Sequence, residues 1–195
     1  MMSNYLIWKY KSVPHACVLG ELSGLEDDFR LNKGIPLERD FHEDVAFHMH
    51  PDFPNDLLLV DNLLNSDMVI VAHQRLKDLL QARNILHLEY LPVNIIDHKN
   101  RKISSQQYYI IHAINPVDCI DGDQSVFTRS LINRENIASF EQLVIDEARI
   151  PADRQIFRLK GFWKIILIRR DLAEELDKEG FSGLGWLELA DYPEK

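Results

Sequence analysis

Residues 69–90 read VIVAHQRLKDLLQARNILHLEY, and residues 165–186 read IILIRRDLAEELDKEGFSGLGW. Each stretch opens with a short run of β-branched and apolar residues, which is typical of a buried strand. Leucines spaced three and four residues apart follow, and this spacing is typical of a helix with one apolar side. A second apolar run closes each stretch. Both stretches therefore predict the order strand, helix, strand.

The two stretches also align with each other at a constant spacing. Leu76 aligns with Leu172 and Tyr90 aligns with Trp186, in each case 96 positions further along the chain. Asn84 aligns with Gly180, and these two residue types best tolerate the left-handed conformation that ends a helix. The alignment predicts an internal repeat. Chance similarity is the alternative, because strand–helix–strand units and leucine are both common.

The rest of the chain predicts an α+β fold. Apolar runs at residues 4–10, 87–97, 106–114, 155–161 and 162–168 indicate strands, and several of these strands are joined by short polar turns, as in hairpins. We therefore expect a mixed or mainly antiparallel sheet with helices packed on it. Glycine, proline and acidic residues between positions 20 and 56 predict turns, extended segments and one short helix. We expect residues 66–195 to form the main domain, with residues 1–65 packed on it.

Composition and charge narrow the classes of partner. The 195 residues carry 31 acidic and 22 basic side chains, for a net charge of −9. This charge disfavours general binding to nucleic acid and suits a basic partner, although solubility alone would also explain it. No stretch approaches the roughly 20 apolar residues of a membrane span, and the first residues do not resemble a signal peptide. We therefore expect a cytoplasmic protein that does not bind membranes.

One segment contains residues that could bind a metal. FHEDVAFHMHPDF, residues 41–53, contains His42, His48, His50 and Asp52. His48 and His50 would share one side of a strand, and two imidazoles with a carboxylate can bind a transition metal. However, no third ligand lies at a diagnostic spacing, so a polar loop is the simpler interpretation. The sequence predicts no metal, no other cofactor and no catalytic residues.

Several short motifs occur in an order that resembles a known family. They are LEYLPV at 88–93, VDCID at 117–121 with Ser125 after it, IP at 150–151 followed by IFRL at 156–159, and FSGLGW at 181–186. Over about residues 66–188 the chain resembles a bacterial family of uncharacterised domains classed among the immunity proteins of polymorphic toxin systems. In that family the residue that begins each helix tends to be Ser or Asp. Here His73 and Arg169 take those places, and both are expected to be poor caps.

The resemblance implies a protein that is not an enzyme and that binds and neutralises one cognate toxin. For a basic toxin, charge alone selects five candidate contact residues, although a run of charges can also be just a solvated surface. They are Glu26, Asp27, Asp28, Glu43 and Asp44. Two other functions remain open: a metal-dependent hydrolase that uses His42, His48, His50 and Asp52, and a module that binds a small ligand.

Overall fold

The structure, a computed structural model, describes residues 2–103 and 105–194. Within these residues the chain forms the α-helices α1 (Phe29–Lys33), α2 (Gln74–Ala82) and α3 (Arg170–Lys178), and 3₁₀ turns at Glu147–Arg149 and Leu189–Asp191. The strands are β1 (Tyr5–Tyr10), β2 (Val18–Ser23), β3 (Ala46–Met49), β4 (Asn62–Asn65), β5 (Ile70–His73), β6 (Leu88–Ile96), β7 (Tyr108–Ala113), β8 (Val126–Arg129), β9 (Ile137–Gln142), β10 (Ile156–Leu159), β11 (Phe162–Arg169) and β12 (Leu184–Glu188).

The strands form three sheets. Six of them close into a barrel in the order β2-β3-β6-β7-β5-β4, in which β2–β4 and β3–β6 are parallel pairs and the other pairs are antiparallel. A second, antiparallel sheet has the order β10-β11-β1-β12, and β8 and β9 form a separate hairpin. The expected mixture of strand directions is confirmed. The α+β class holds only roughly, because the helices are short and few, and the sequence did not predict the barrel.

The two stretches that align in the sequence have matching elements in the structure. Strand β5 ends at His73 and β11 ends at Arg169, and α2 and α3 each begin at the next residue and run for nine residues. Strands β6 and β12 then begin at Leu88 and Leu184. Every one of these bounds differs by 96 positions, so the prediction of a repeated strand, helix and strand is confirmed. We call residues 70–96 with β7 the first unit, and residues 162–188 with β1 the second unit.

The turns after the two helices match as well. Asn84 has a φ of 51° and Gly180 has a φ of 67°, so both helices end in the left-handed conformation that these residue types tolerate. Three residues later His87 and Gly183 also have positive φ values, of 62° and 79°. The chain therefore follows the same path from helix to strand in both units.

In each unit an antiparallel strand lies between the two strands that the helix connects. Strand β7 pairs with β5 and β6, and β1 pairs with β11 and β12. The register is also shared, since Ile111 lies opposite Tyr90 in the first unit and Trp8 lies opposite Trp186 in the second. Residues 5–10 thus supply the central strand of the second unit, and β2, β3 and β4 belong to the barrel.

The two units share one hydrophobic core. Leu76 and Leu80 of α2 pack in the same cluster as Leu172 and Leu176 of α3, and Trp8 of β1 lies among them. The barrel strands have a second apolar side, which faces the barrel interior. There a second cluster surrounds Phe47 and Tyr108. The other side of the second sheet packs in a third cluster that includes hairpin residue Phe140. Both helices and strands of both sheets therefore contribute to the cluster that joins the two units.

Candidate partner-binding site

Two acidic loops meet at one end of the barrel because β2 and β3 are antiparallel neighbours. Ser23 at the end of β2 lies opposite Ala46 at the start of β3, and its Oγ donates to the Ala46 carbonyl oxygen at 3.1 Å. The chain between them therefore leaves and re-enters the barrel at the same place. As a result, residues 26–28 and residues 43–44, which are far apart in the sequence, lie at the same end of the barrel.

The contact between the two loops is close at Gly24. Its φ is +83°, and an added Cβ would lie 3.1 Å from Val45 Cα and 3.2 Å from the Asp44 carbonyl oxygen. Asn94 of β6 also holds the second loop, because its Nδ2 donates to the Glu43 carbonyl oxygen at 2.8 Å. These backbone contacts position the acidic side chains without using their carboxylates.

The carboxylates themselves are exposed and surround a shallow cavity of about 650 Å³. All five carboxylates predicted from charge are exposed, and Glu26, Asp27 and Asp44 line the cavity. Asp40 joins them, and Arg30 donates to Asp40 Oδ2 at 2.9 Å. The acidic face is defined here by its six exposed carboxylates: Glu26, Asp27, Asp28, Asp40, Glu43 and Asp44.

Further carboxylates lie next to this face. The pKa of Asp67 is raised above its ordinary value, first because burial disfavours the charged form and then because Asp28 and Glu21 repel it. Asp28 and Glu21 are therefore both close enough to Asp67 to repel its carboxylate. Sequence reasoning missed Asp40, Asp67 and Glu21, because none of them lies in a run of acidic residues and only the fold places them beside the others.

The histidines of residues 41–53 lie in different surroundings. His42 lines the acidic cavity, whereas His48 is exposed on β3 with its Nε2 3.3 Å from Ser23 Oγ. His50 Nδ1 accepts from the backbone N–H of Asp52 at 3.2 Å, and its ring meets Phe53 edge-on. In residues 2–103 and 105–194, no three His, Cys, Asp or Glu side chains form a group that could hold a metal ion. The hydrolase hypothesis therefore gains no geometric support.

The two cysteine thiols are also unsuited to chemistry. Both are fully buried, and burial raises the pKa of Cys17 and of Cys119 to about 12. A thiol with such a pKa remains protonated at neutral pH, and the thiolate is the reactive form. The two residues also belong to different hydrophobic clusters, so they act as core residues.

Comparison with known proteins identifies the family. A model of an immunity protein family, Imm11, matches residues 11–191, and the chain therefore belongs to that family. The resemblance seen over residues 66–188 is confirmed, and the match extends it to β2, α1, β3 and β4. No curated protein matches the chain. In the part of the chain that the structure describes, no helix is both long enough and apolar enough to cross a membrane.

Proposed function

We propose that this protein binds a cognate toxin and neutralises it by forming a complex, without catalysing a reaction. Membership of the immunity family supports this role. We propose further that the acidic face is a contact surface for a basic toxin. The single observation that carries this step is the convergence of Glu26, Asp27 and Asp44 with Asp40 around one exposed cavity.

Electrostatics explains what such a surface would do. Within the cavity lining, the Arg30 guanidinium offsets part of the charge of four carboxylates, so the net charge of the lining remains negative. A surface of this kind attracts an oppositely charged partner over a distance and accelerates association more than it strengthens the final complex. Because the carboxylates are exposed, salt would screen the attraction.

The resemblance to the immunity family implies that a toxin is encoded beside this protein, so the test uses as probe the C-terminal domain encoded by the neighbouring upstream gene. A variant reverses the five sequence-selected charges, with Lys at positions 26, 27, 28, 43 and 44. We expect the association rate at low ionic strength to fall by about tenfold or more, and its dependence on salt to weaken. Stopped-flow mixing at several ionic strengths measures both quantities.

A matched control reverses five other exposed carboxylates: Asp123, Glu141, Glu174, Glu179 and Asp191. It makes the same change in net charge and should reduce the rate less. Equal rates for the two variants would show that only net charge matters. An unchanged rate in the first variant would show that the acidic face does not attract the toxin.

A further inference from the structure

The tip of the β8–β9 hairpin, residues 130–136, exposes two bulky aliphatic side chains to solvent. Leu131 is 99% exposed and Ile132 is 100% exposed, whereas Leu57, the next most exposed leucine among the described residues, is 54% exposed. Burying side chains of this size in a partner removes a large apolar surface from water, which stabilises a complex. Two such neighbours at one projecting tip therefore form a strong candidate anchor.

The tip is ordered by its own hydrogen bonds. The Ser130 N–H donates to the Asn136 carbonyl oxygen at 2.9 Å, and the Asn136 N–H donates to the Asn133 carbonyl oxygen at the same distance. The Arg129 guanidinium donates to the Arg134 carbonyl oxygen at 3.0 Å. A tip held in this way loses little further freedom when it binds, so little of the binding energy is spent on ordering it.

The hairpin is also fixed to the core. The Ile137 N–H donates to the Gly161 carbonyl oxygen at 2.8 Å, and Lys164 Nζ donates to the Ala138 carbonyl oxygen at 2.8 Å. Phe140 packs edge-on against Phe162 with their ring centroids 4.8 Å apart. The two aliphatic residues are therefore presented by a rigid support.

A cavity of about 590 Å³ adjoins the tip, and its charge is opposite to that of the acidic face. Asn133 and Asn136 of the tip line it together with Lys33, Lys160 and Trp163. Among the described residues that line this cavity, none carries a carboxylate. Asp118, 3.7 Å from Lys160, and the exposed Glu135 of the tip offset part of the positive charge. The cavity is thus suited to a carboxylate of a partner.

We propose that this tip and cavity form a second contact with the toxin. This proposal rests on the proposed immunity function. Leu131 and Ile132 enter an apolar pocket of the toxin, and the cavity with Lys33 and Lys160 takes a carboxylate at the edge of that pocket. The lining of the cavity beside the tip is basic and therefore complementary to an acidic group of the partner, whereas the acidic face is complementary to a basic group. Two contacts of opposite sign fix the orientation of the partner. An anionic lipid surface is a poorer fit, because it repels a chain with a net charge of −9.

The test is the Kd of the upstream toxin domain, measured by titration calorimetry with the wild-type protein and the double variant Leu131→Asp/Ile132→Asp. We expect the Kd to rise at least about 100-fold, as for loss of a central apolar anchor. The control Leu57→Asp/Leu86→Asp makes the same charge change at two half-exposed leucines and should leave the Kd within about threefold. The milder double variant Leu131→Ser/Ile132→Ser should have a Kd between those of the two Asp variants. All variants should keep the wild-type Tm.

Other outcomes overturn the proposal in distinguishable ways. Tight binding by both the wild type and the Asp variant would remove the tip from the interface and leave the immunity function standing. No binding by the wild type would overturn both. Dimerisation of the protein alone, or binding to phosphatidylglycerol vesicles, that the Asp variant abolishes would assign the tip to a second copy or to a membrane instead of the toxin.

Discussion

The two units share a local design but differ in what surrounds them. Both have nine-residue helices, matching left-handed turns and a central antiparallel strand in the same register. In the first unit, β5 and β6 gain β4 and β3 as further neighbours, and the sheet closes into a barrel. In the second unit, β12 ends the sheet and β10 extends it on the other side. Local sequence therefore determines the unit, whereas distant segments determine how its sheet is completed.

One pair of equivalent positions shows the consequence. In the first unit His112 lies opposite Glu89, and both are buried. In the second unit Lys9 lies opposite Gly185, and the Lys9 side chain is 37% exposed and pairs with Glu194. The same backbone position thus carries a buried imidazole in the barrel and an ammonium near the surface in the open sheet.

The largest expected effect comes from removing the central strand of one unit. A chain that begins at residue 66 keeps β7 for the first unit but lacks β1, which pairs with both β11 and β12. We propose that residues 1–65 are required for folding, and we expect the truncated chain to show no cooperative thermal transition by circular dichroism. A sharp transition near the Tm of the full chain would contradict this and would make residues 66–195 an independent domain.

The next largest effect distinguishes the two equivalent turns, at His87 and at Gly183. His87 carries a side chain at positive φ, but a Cβ at Gly183 would overlap the carbonyl oxygen of Asn62. The Gly183 carbonyl oxygen also accepts from Lys11 N–H at 3.0 Å, which holds the backbone in place. We therefore expect Gly183→Ala to lower the free energy of unfolding by about 3–4 kcal/mol, measured by urea denaturation.

The equivalent substitution in the first unit, His87→Gly, is the control. It relieves a positive φ and removes a partly exposed contact with Asp153, so we expect a change of less than about 1 kcal/mol. Equal losses at the two positions would show that the turns differ less than the contacts around Gly183 indicate.

A pH effect should follow from the buried histidine of the first unit. Burial lowers the pKa of His112 to about 4, below the ordinary 6.5, so the unfolded chain binds the proton more readily. The stability contributed by the neutral ring is complete above pH 6.5 and is lost as the pH falls towards 4. We expect the wild type to lose about 1.5 kcal/mol more than His112→Gln between pH 6.5 and pH 5, measured by urea denaturation. If the free energy of unfolding depends on pH in the same way in the wild type and in His112→Gln, this prediction is wrong.

The smallest effect concerns the helix starts. His73 was expected to be a poor cap, but its Nδ1 accepts from the Arg75 N–H at 3.2 Å, so that expectation is wrong. Arg169 makes no such bond, as expected, and Asp171 Oδ1 accepts from the Leu172 N–H instead. We expect His73→Ala to lower the free energy of unfolding by about 1 kcal/mol, which thermal denaturation measures as a lower Tm. The variant His73→Asn should keep the stability of the wild type. No change in His73→Ala would mean that packing alone fixes the start of α2.

The sequence predicted what local chemistry determines. The two units could be predicted because leucine spacing determines each helix locally, and Asn84 and Gly180 end it in a left-handed turn. The barrel could not be predicted, because it depends on pairing between strands that are distant in the sequence, such as β3 with β6. The five acidic candidates followed from charge, but their proximity depends on the β2–β3 pairing. The exposure of Leu131 and Ile132 gave no sequence signal, since apolar residues in a hairpin are ordinarily buried.

Co-expression tests the proposed immunity function most directly. The upstream toxin domain is produced in a bacterial host with and without this protein, while growth is followed and the complex is sized by light scattering after chromatography. We expect that the toxin domain alone stops growth, that this protein restores it, and that the two chains elute as a 1:1 complex. Toxicity that persists without rescue or binding would contradict the proposed immunity function.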